Sequence, residues 1–159
     1  MPAIAHLPAT STRVEEHTDA DVNDAIRSRT DAGLARMEEA PPEQIAERLA
    51  DLDREWDIER ALQVNASVLA GVGLLLGTQV DRRFLWLPAA VFSFFAQHAL
   101  QGWCPPVPVM RRLGVRTRRE IERERHALKA LRGDFDLVPR PGNANPGRRV
   151  RAALSAVDA

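Results

Sequence analysis

The chain is poor in the residues from which most catalytic and metal sites are built. Its 159 residues hold one cysteine, Cys104, no tyrosine and a single lysine. One cysteine excludes an intramolecular disulfide and any site assembled from several thiolates. No Gly-rich phosphate loop occurs, and no nucleophile stands beside a base at a motif spacing, so no catalytic, cofactor-binding or metal-ligating residue is expected and the chain reads as a non-enzyme. The 21 arginines beside one lysine reflect the codon bias of a GC-rich genome rather than a chemical requirement. Residues 1–16 lack an apolar core preceded by basic residues, so no cleavable signal peptide is expected there. The length suits one ordinary domain or less, with no room for a catalytic domain plus a membrane anchor.

The most informative shortage is of charge in the middle of the chain. The formal net charge is zero, from 22 Lys+Arg against 22 Asp+Glu, yet the sum conceals three unlike segments. Residues 1–60 carry seven Arg against fifteen acids, a net −8, while residues 111–159 carry thirteen bases against six acids, a net +7. Between them, residues 61–110 contain only three charged residues, Asp81, Arg82 and Arg83. A soluble helical globule places charges along every surface helix, so this segregation points to a membrane protein.

The uncharged segment divides into two runs of spanning length. Ala61–Val80 has 20 residues, about 30 Å as a helix, which matches the hydrocarbon thickness of a bilayer. Phe84–Trp103 supplies 20 more, with Pro88 close enough to its start to be tolerated. A link of three residues forces the two into an antiparallel hairpin, and Trp86 and Trp103, about 26 Å apart along a helix, place one indole near each bilayer surface. The outer flanks carry three basic residues (Arg48, Arg54, Arg60) and eight (Arg111, Arg112, Arg116, Arg118, Arg119, Arg123, Arg125, Lys129), against two in the link. By the positive-inside rule both termini are expected in the cytoplasm of a bacterial inner membrane.

The fold class expected is therefore all-α, a two-span transmembrane hairpin over residues 61–104 with cytoplasmic amphipathic helices on both sides. Residues 1–17 read as a disordered N-terminus, and 18–60 as an acidic helical region that starts at a Thr18/Asp21 capping box. Its first helix, about 19–39, ends at Pro41-Pro42, and Pro42 opens a second whose stripe Ile45, Leu49, Leu52 and Trp56 runs without a breaker into the first span. Residues 105–133 read as an extended link through Pro105, Pro106 and Pro108, then a basic helix that opens on a Thr117/Glu120 capping box and stops at Gly133. Residues 134–159 read as a flexible tail. The acidic and basic arms share one compartment and are expected to dock on one another, with anionic lipid headgroups as a further contact for the basic helix. A soluble helical adaptor, with the flanking helices wrapped around the hairpin, competes with this reading. Helices with one narrow apolar stripe are poor cover for two that are apolar all round.

Three features of the hairpin invite a functional reading, each beside a plainer one. Gly73 and Gly77, with Ala66/Ala70 and Ser67/Gly71 in similar spacing, form a small-residue face that suits either the second span or a second copy of the chain. Gln97, His98 and Gln101 form a polar patch at the depth of Gln63 and Asn65, expected as an interhelical hydrogen-bond cluster, with His98 as a ligand or proton relay in the sharper reading. Cys104 lacks the spacing of a zinc site with His98 or His126. It reads as a small interfacial hydrophobe, as an axial haem ligand, or as a reactive thiol with Arg111 and Arg112 lowering its pKa.

The run Gly102-Trp103-Cys104-Pro105, followed by Leu113-Gly114, resembles the closing signature of the YgaP-like inner-membrane transmembrane domain, a bacterial family of unknown function. Glu59-Arg60 before the first span fits the family more loosely. The resemblance covers about residues 57–115 and implies a two-span hairpin that dimerises. In the family's namesake the spans follow a rhodanese sulfurtransferase domain, and residues 1–60 here contain no cysteine to carry a persulfide, so sulfur transfer is not implied. The partners expected are the lipid bilayer, a second copy of the chain and an unidentified protein, and not nucleic acid. The chain thus reads as a small integral inner-membrane structural or interaction module that self-associates. A thiol, sulfur-handling or redox-sensing membrane protein using Cys104 is the alternative.

Overall fold

Helix accounts for nearly all of the regular structure in the computed structural model, which describes residues 8–140, 142 and 146–159. In chain order the helices are α1 (Arg13–Glu16), α2 (Ala20–Arg36), α3 (Pro42–Arg54), α4 (Ile58–Gln79), α5 (Trp86–Gln101), α6 (Pro106–Arg112), α7 (Arg118–Arg132) and α8 (Pro146–Asp158), with a 3-10 turn at Arg82–Leu85 ahead of α5. No strand occurs among the described residues. The chain divides into two compact units, one running up to Arg27 and resuming over Trp56–Glu120, the other made of Ser28–Glu55 and Ile121–Ala159.

The first unit is organised by the antiparallel pair α4 and α5. Asp57 starts α4 by accepting the Arg60 N–H at 2.8 Å, and 22 residues carry the helix about 33 Å. The chain reverses at Asp81, whose carboxylate accepts the Arg83 N–H at 2.8 Å. Close approach of the helices depends on Gly73 and Gly77: a Cβ on Gly73 would lie 2.5 Å from Pro88 Cδ, and one on Gly77 2.5 Å from Leu85 Cδ2. The small-residue face is therefore filled by the chain's own second helix. At the opposite end Gly102 (φ 81°) closes α5, its N–H returning to the His98 carbonyl at 2.7 Å. A small core of Val14, Ile58, Leu62, Cys104 and Val107 forms there, capped by α1 and α6.

In the second unit α3 and α7 face each other through apolar stripes. Ile45, Leu49 and Leu52 of α3 pack with Ile121 and Leu128 of α7, and Leu34, Met37 and Ala40 close the edge. Full burial of each such side chain is worth about 1.5–3 kcal/mol. Charge complements the stripe, since Arg48 Nε donates to the nearly buried Glu124 at 2.8 Å and Arg123 and Arg125 reach Asp31 and Asp53. On α8, the Val157 carbonyl accepts a hydrogen bond from Lys129 Nζ.

The all-helical expectation holds, the second span is not established, and several finer expectations are corrected. Of the described helices only one, in the run Pro42–Gln79, is long and apolar enough to cross a membrane by length and composition, with a mean hydropathy of 1.5. Its apolar part is α4, because α3 is charged. The second expected span, 84–103, appears as 16 helical residues after the 3-10 turn, about 24 Å of α-helix. The apolar stripe does not run unbroken into α4: Glu55 and Asp57 are extended, because Asp57 takes the N-cap role, and Trp56 stands half exposed with Arg60 stacked 4.6 Å above its ring. The three prolines after Cys104 do not hold an extended link, since Pro106 begins α6 at a position where a missing N–H costs nothing. Thr18 forms no capping box with Asp21, for its hydroxyl donates to the Val14 carbonyl at 2.7 Å. Arg13–Glu16 form a helical turn in the segment expected to be disordered, and Pro146–Asp158 a helix in the expected flexible tail. The rest of those two expectations, residues 1–7 and residues 141 and 143–145, lies outside the described residues.

Candidate functional site

The end of the hairpin that bears Gly102 gathers four side chains from three helices and the loop after α5. The first turn of α4 presents Glu59, whose Oε1 accepts from Arg13 Nη2 at 2.6 Å. Its other oxygen, Oε2, lies 3.0 Å from His98 Nε2. A carboxylate only accepts, so Nε2 carries the hydrogen and donates. His98 sits in the last turn of α5, on the face turned toward α4, and is 1 % exposed. Cys104 follows Gly102 by two residues, is buried, and interacts with the same imidazole ring. The hydrogen bond from His98 holds the Glu59 carboxyl below its ordinary pKa; partial burial opposes this, and the nearby His98 and Arg13 charges reinforce it. Glu59 therefore stays ionised at neutral pH and orients the ring through Nε2. Nδ1 is buried and has no partner at hydrogen-bond geometry.

The order of these four groups is Arg13, Glu59, His98, Cys104: a cation holding a carboxylate, the carboxylate orienting an imidazole, and the imidazole beside a thiol. Against the thiol lies an apolar cavity of about 260 Å³, walled by Leu62, Leu69, Val91, Phe94 and Phe95, with Asn65 as its amide.

Gly102 makes the assembly possible. A Cβ there would collide with the backbone carbonyl of Arg13, so α1 could not approach closely enough for Arg13 to reach Glu59. Trp103 is half buried, and Pro105 caps α6. Leu113 is 77 % exposed, and Gly114 (φ 90°) ends α6 with its N–H on the Arg111 carbonyl at 2.9 Å. The signature residues thus divide into two helix stops, Gly102 and Gly114, and the thiol between them.

The expected polar patch is not a cluster. Gln97 is half buried and Gln101 exposed; Gln63 and Asn65 are exposed on α4, Asn65 at the edge of the apolar cavity. Only His98 turns inward, and its partner is the acidic Glu59, one turn below Gln63. The expectation that Arg111 acts on Cys104 is also corrected. Arg111 is 1 % exposed and donates to Glu120 Oε2 and Oε1 at 2.6 and 2.7 Å, to Asn23 Oδ1 at 2.8 Å and to the Val115 carbonyl at 3.1 Å. Burial raises the Glu120 carboxyl pKa, but the Arg111 bonds and those from Thr117 outweigh it and leave the group below its ordinary value. Among the described residues no group of three His, Cys, Asp or Glu is placed to hold a metal ion.

Nothing matches. Family profiles, curated proteins and solved structures were each compared with the chain, and none yields a counterpart.

Proposed function

We propose that the chain is an integral protein of a bacterial inner membrane, with α4 and α5 as a two-span hairpin, both termini in the cytoplasm, and the arms as an interaction module. The observation that carries this reading is the outer surface of the hairpin. Val68, Leu75, Trp86, Phe92 and Leu100 are all more than half exposed, and between Ala61 and Met110 the only charges are those of the link. Apolar patches of such extent belong against lipid or protein. The 3-10 turn adds about 8 Å to the 24 Å of α5, so the two laid end to end reach bilayer thickness. Trp56 and Trp103 lie at the end of the hairpin that carries the arms, and Trp86 at the other, as interfacial indoles do. On this reading the resemblance of Gly102–Pro105 to the YgaP-like domain extends to architecture, and self-association uses the outward face of α4 around Gly71, where a Cβ would meet nothing within 4 Å.

The test is fractionation combined with reporter fusions. The chain should resist carbonate extraction, with a fluorescent cytoplasmic reporter active at the C-terminus and a periplasmic phosphatase active when inserted at Asp81. Recovery in the high-speed supernatant without detergent would sink the reading.

A further inference from the structure

We propose that α8 is an interfacial helix that binds the anionic lipid surface of the cytoplasmic leaflet, with Val150, Leu154 and Val157 entering the headgroup boundary and Arg148, Arg149 and Arg151 meeting the phosphates. This rests on the reading of α4 and α5 as a membrane hairpin with both termini in the cytoplasm, and adds a second, peripheral attachment to it. The observation behind it is the way α8 is seated. Ala156 is 5 % exposed, Ala152 and Ala153 are partly buried, and Lys129 Nζ donates to the Val157 carbonyl, so one face of the helix is docked. The larger apolar side chains lie elsewhere on it: Val150, Leu154 and Val157 are 59, 57 and 49 % exposed. A surface helix of a soluble protein buries its largest apolar residues and turns its polar ones to water. In α8 the alanines are turned in, and the valines and leucine out.

Charge completes the pattern. Positions 150, 154 and 157 stand at i, i+4 and i+7, so their side chains form one stripe along about 11 Å of helix. Arg148 and Arg149 precede the stripe and Arg151 follows its first residue, against Asp158 as the one acid of the helix. All three arginines are exposed, and among the described residues none of them forms an ion pair. The α7 arginines differ, since Arg119, Arg123 and Arg125 already have Glu15, Asp31 and Asp53 as partners. Arg148 and Arg149 also oppose the positive end of their own helix dipole, so α8 supplies them no counter-charge.

A bilayer rich in anionic lipid offers hydrocarbon and phosphate together along one plane, which matches an aliphatic stripe edged by arginines that lack counter-charges. Three half-exposed aliphatic side chains fall far short of the roughly 800 Å² that each partner of a standard protein interface contributes. On lipid the same stripe suffices, because the hairpin tethers α8 to the membrane and makes its docking an intramolecular step with a high effective concentration. The stripe and the three cations thus favour lipid over a second copy of the chain.

The test uses the full chain carrying Cys104→Ala and Leu154→Cys, so that one nitroxide label reports from the stripe. It is reconstituted in vesicles of phosphatidylcholine mixed with phosphatidylglycerol, or of phosphatidylcholine alone. Collisions with oxygen, which dissolves in lipid, and with a water-soluble nickel chelate locate the label. In the mixed vesicles a label at 154 should meet oxygen and be shielded from the chelate, whereas one on Ser155→Cys, about 100° around the helix, should meet the chelate. Arg148→Gln, Arg149→Gln and Arg151→Gln should each lower the ratio of lipid-seated to water-exposed label by about fivefold, and phosphatidylcholine alone should lower it as the triple variant does. A label at 154 as open to the chelate as one at 155, or a seated fraction indifferent to phosphatidylglycerol or to the arginines, would overturn the proposal. Spin–spin broadening at 154 that disappears on mixing with excess unlabelled chain would assign the stripe to a second copy and overturn it equally. Flotation of the vesicles after a carbonate wash reports on the hairpin separately. A chain that floats with label 154 in water refutes the docking of α8 alone, and one that does not float refutes the hairpin and the docking with it.

Discussion

Single residues at the arm-bearing end of the hairpin hold more of the structure than their size suggests. Gly102 combines a left-handed φ of 81° with a Cα–Arg13 approach that leaves no room for a Cβ. Alanine there costs about 1–2 kcal/mol for the backbone conformation alone, with the collision in addition. Gly102→Ala should lower the thermal unfolding midpoint in detergent and free α1, seen as faster amide exchange over Arg13–Glu16; unchanged exchange there would show that the approach is not needed. Arg111 and Glu120 form the second such point. Removing one partner of a buried pair leaves a charge uncompensated, so Glu120→Ala should cost about 3 kcal/mol. The pH dependence has a definite sign. The folded pKa of Glu120 lies below its unfolded value, so its stabilisation is fully present above about pH 4.3 and is lost as pH falls through the lower folded value. The difference in denaturant midpoint between wild type and Glu120→Gln should therefore be constant from pH 7 to 5 and shrink toward pH 3; a difference that grows on acidification would contradict the assignment.

At the level of helices, the α4–α5 pair makes the clearest prediction because two glycines on one helix have opposite environments. Gly77→Val should push the helices apart, since even a Cβ lies 2.5 Å from Leu85, and lower the unfolding midpoint. Gly71→Ala meets nothing and should raise stability by up to about 1 kcal/mol through helix propensity. If both substitutions shift the midpoint in the same direction, α4 does not pack as described. The small-residue face, the Pro42 start, the stop at Gly133 and the Thr117/Glu120 capping box, which is present with bonds of 2.7 and 3.2 Å, were all legible in the sequence because each is a local rule acting within one turn. Failures occurred where a local rule was overridden. A proline that breaks one helix also opens another, as Pro106 opens α6, and the spacing that extends the stripe to Trp56 is interrupted by Asp57, which caps α4. The site itself was hidden for a different reason. Cys104 and His98 stand out in the sequence, but Glu59 is 39 residues from His98, and no spacing rule links residues on facing helices of a hairpin. The register of Gly73 and Gly77 on Pro88 and Leu85 carries that information, since an antiparallel pair closed there brings the first turn of α4 to the last turn of α5.

Across the whole chain, segregation of charge has a structural counterpart: the acidic segment and the basic segment meet inside each unit. In the first unit Glu15 reaches Arg119 and Thr117, Asp19 reaches Arg112, and Asn23 reaches Arg111. In the second, Asp31 and Asp53 meet Arg123 and Arg125 beside the apolar stripe. Exposed pairs of this kind contribute about 0–1 kcal/mol each and weaken with salt, so the neutral total follows from docking more than it drives it. Deleting residues 1–40 separates the two modes of attachment. It removes Glu15, Asp19 and Asn23, on which the start of α7 and the buried Arg111 depend, but keeps Ile45, Leu49 and Leu52, which hold Ile121 and Leu128. Trypsin should therefore cut the truncated chain faster at Arg116, Arg118 and Arg119 by roughly tenfold or more, since about 1.4 kcal/mol of lost contact already gives that factor. Cleavage after Lys129 and Arg132 should change far less, and carbonate resistance, which depends on α4 and α5, should not change at all. Equal protection of Arg116–Arg119 in the full and truncated chains would show that the acidic arm does not hold the basic helix.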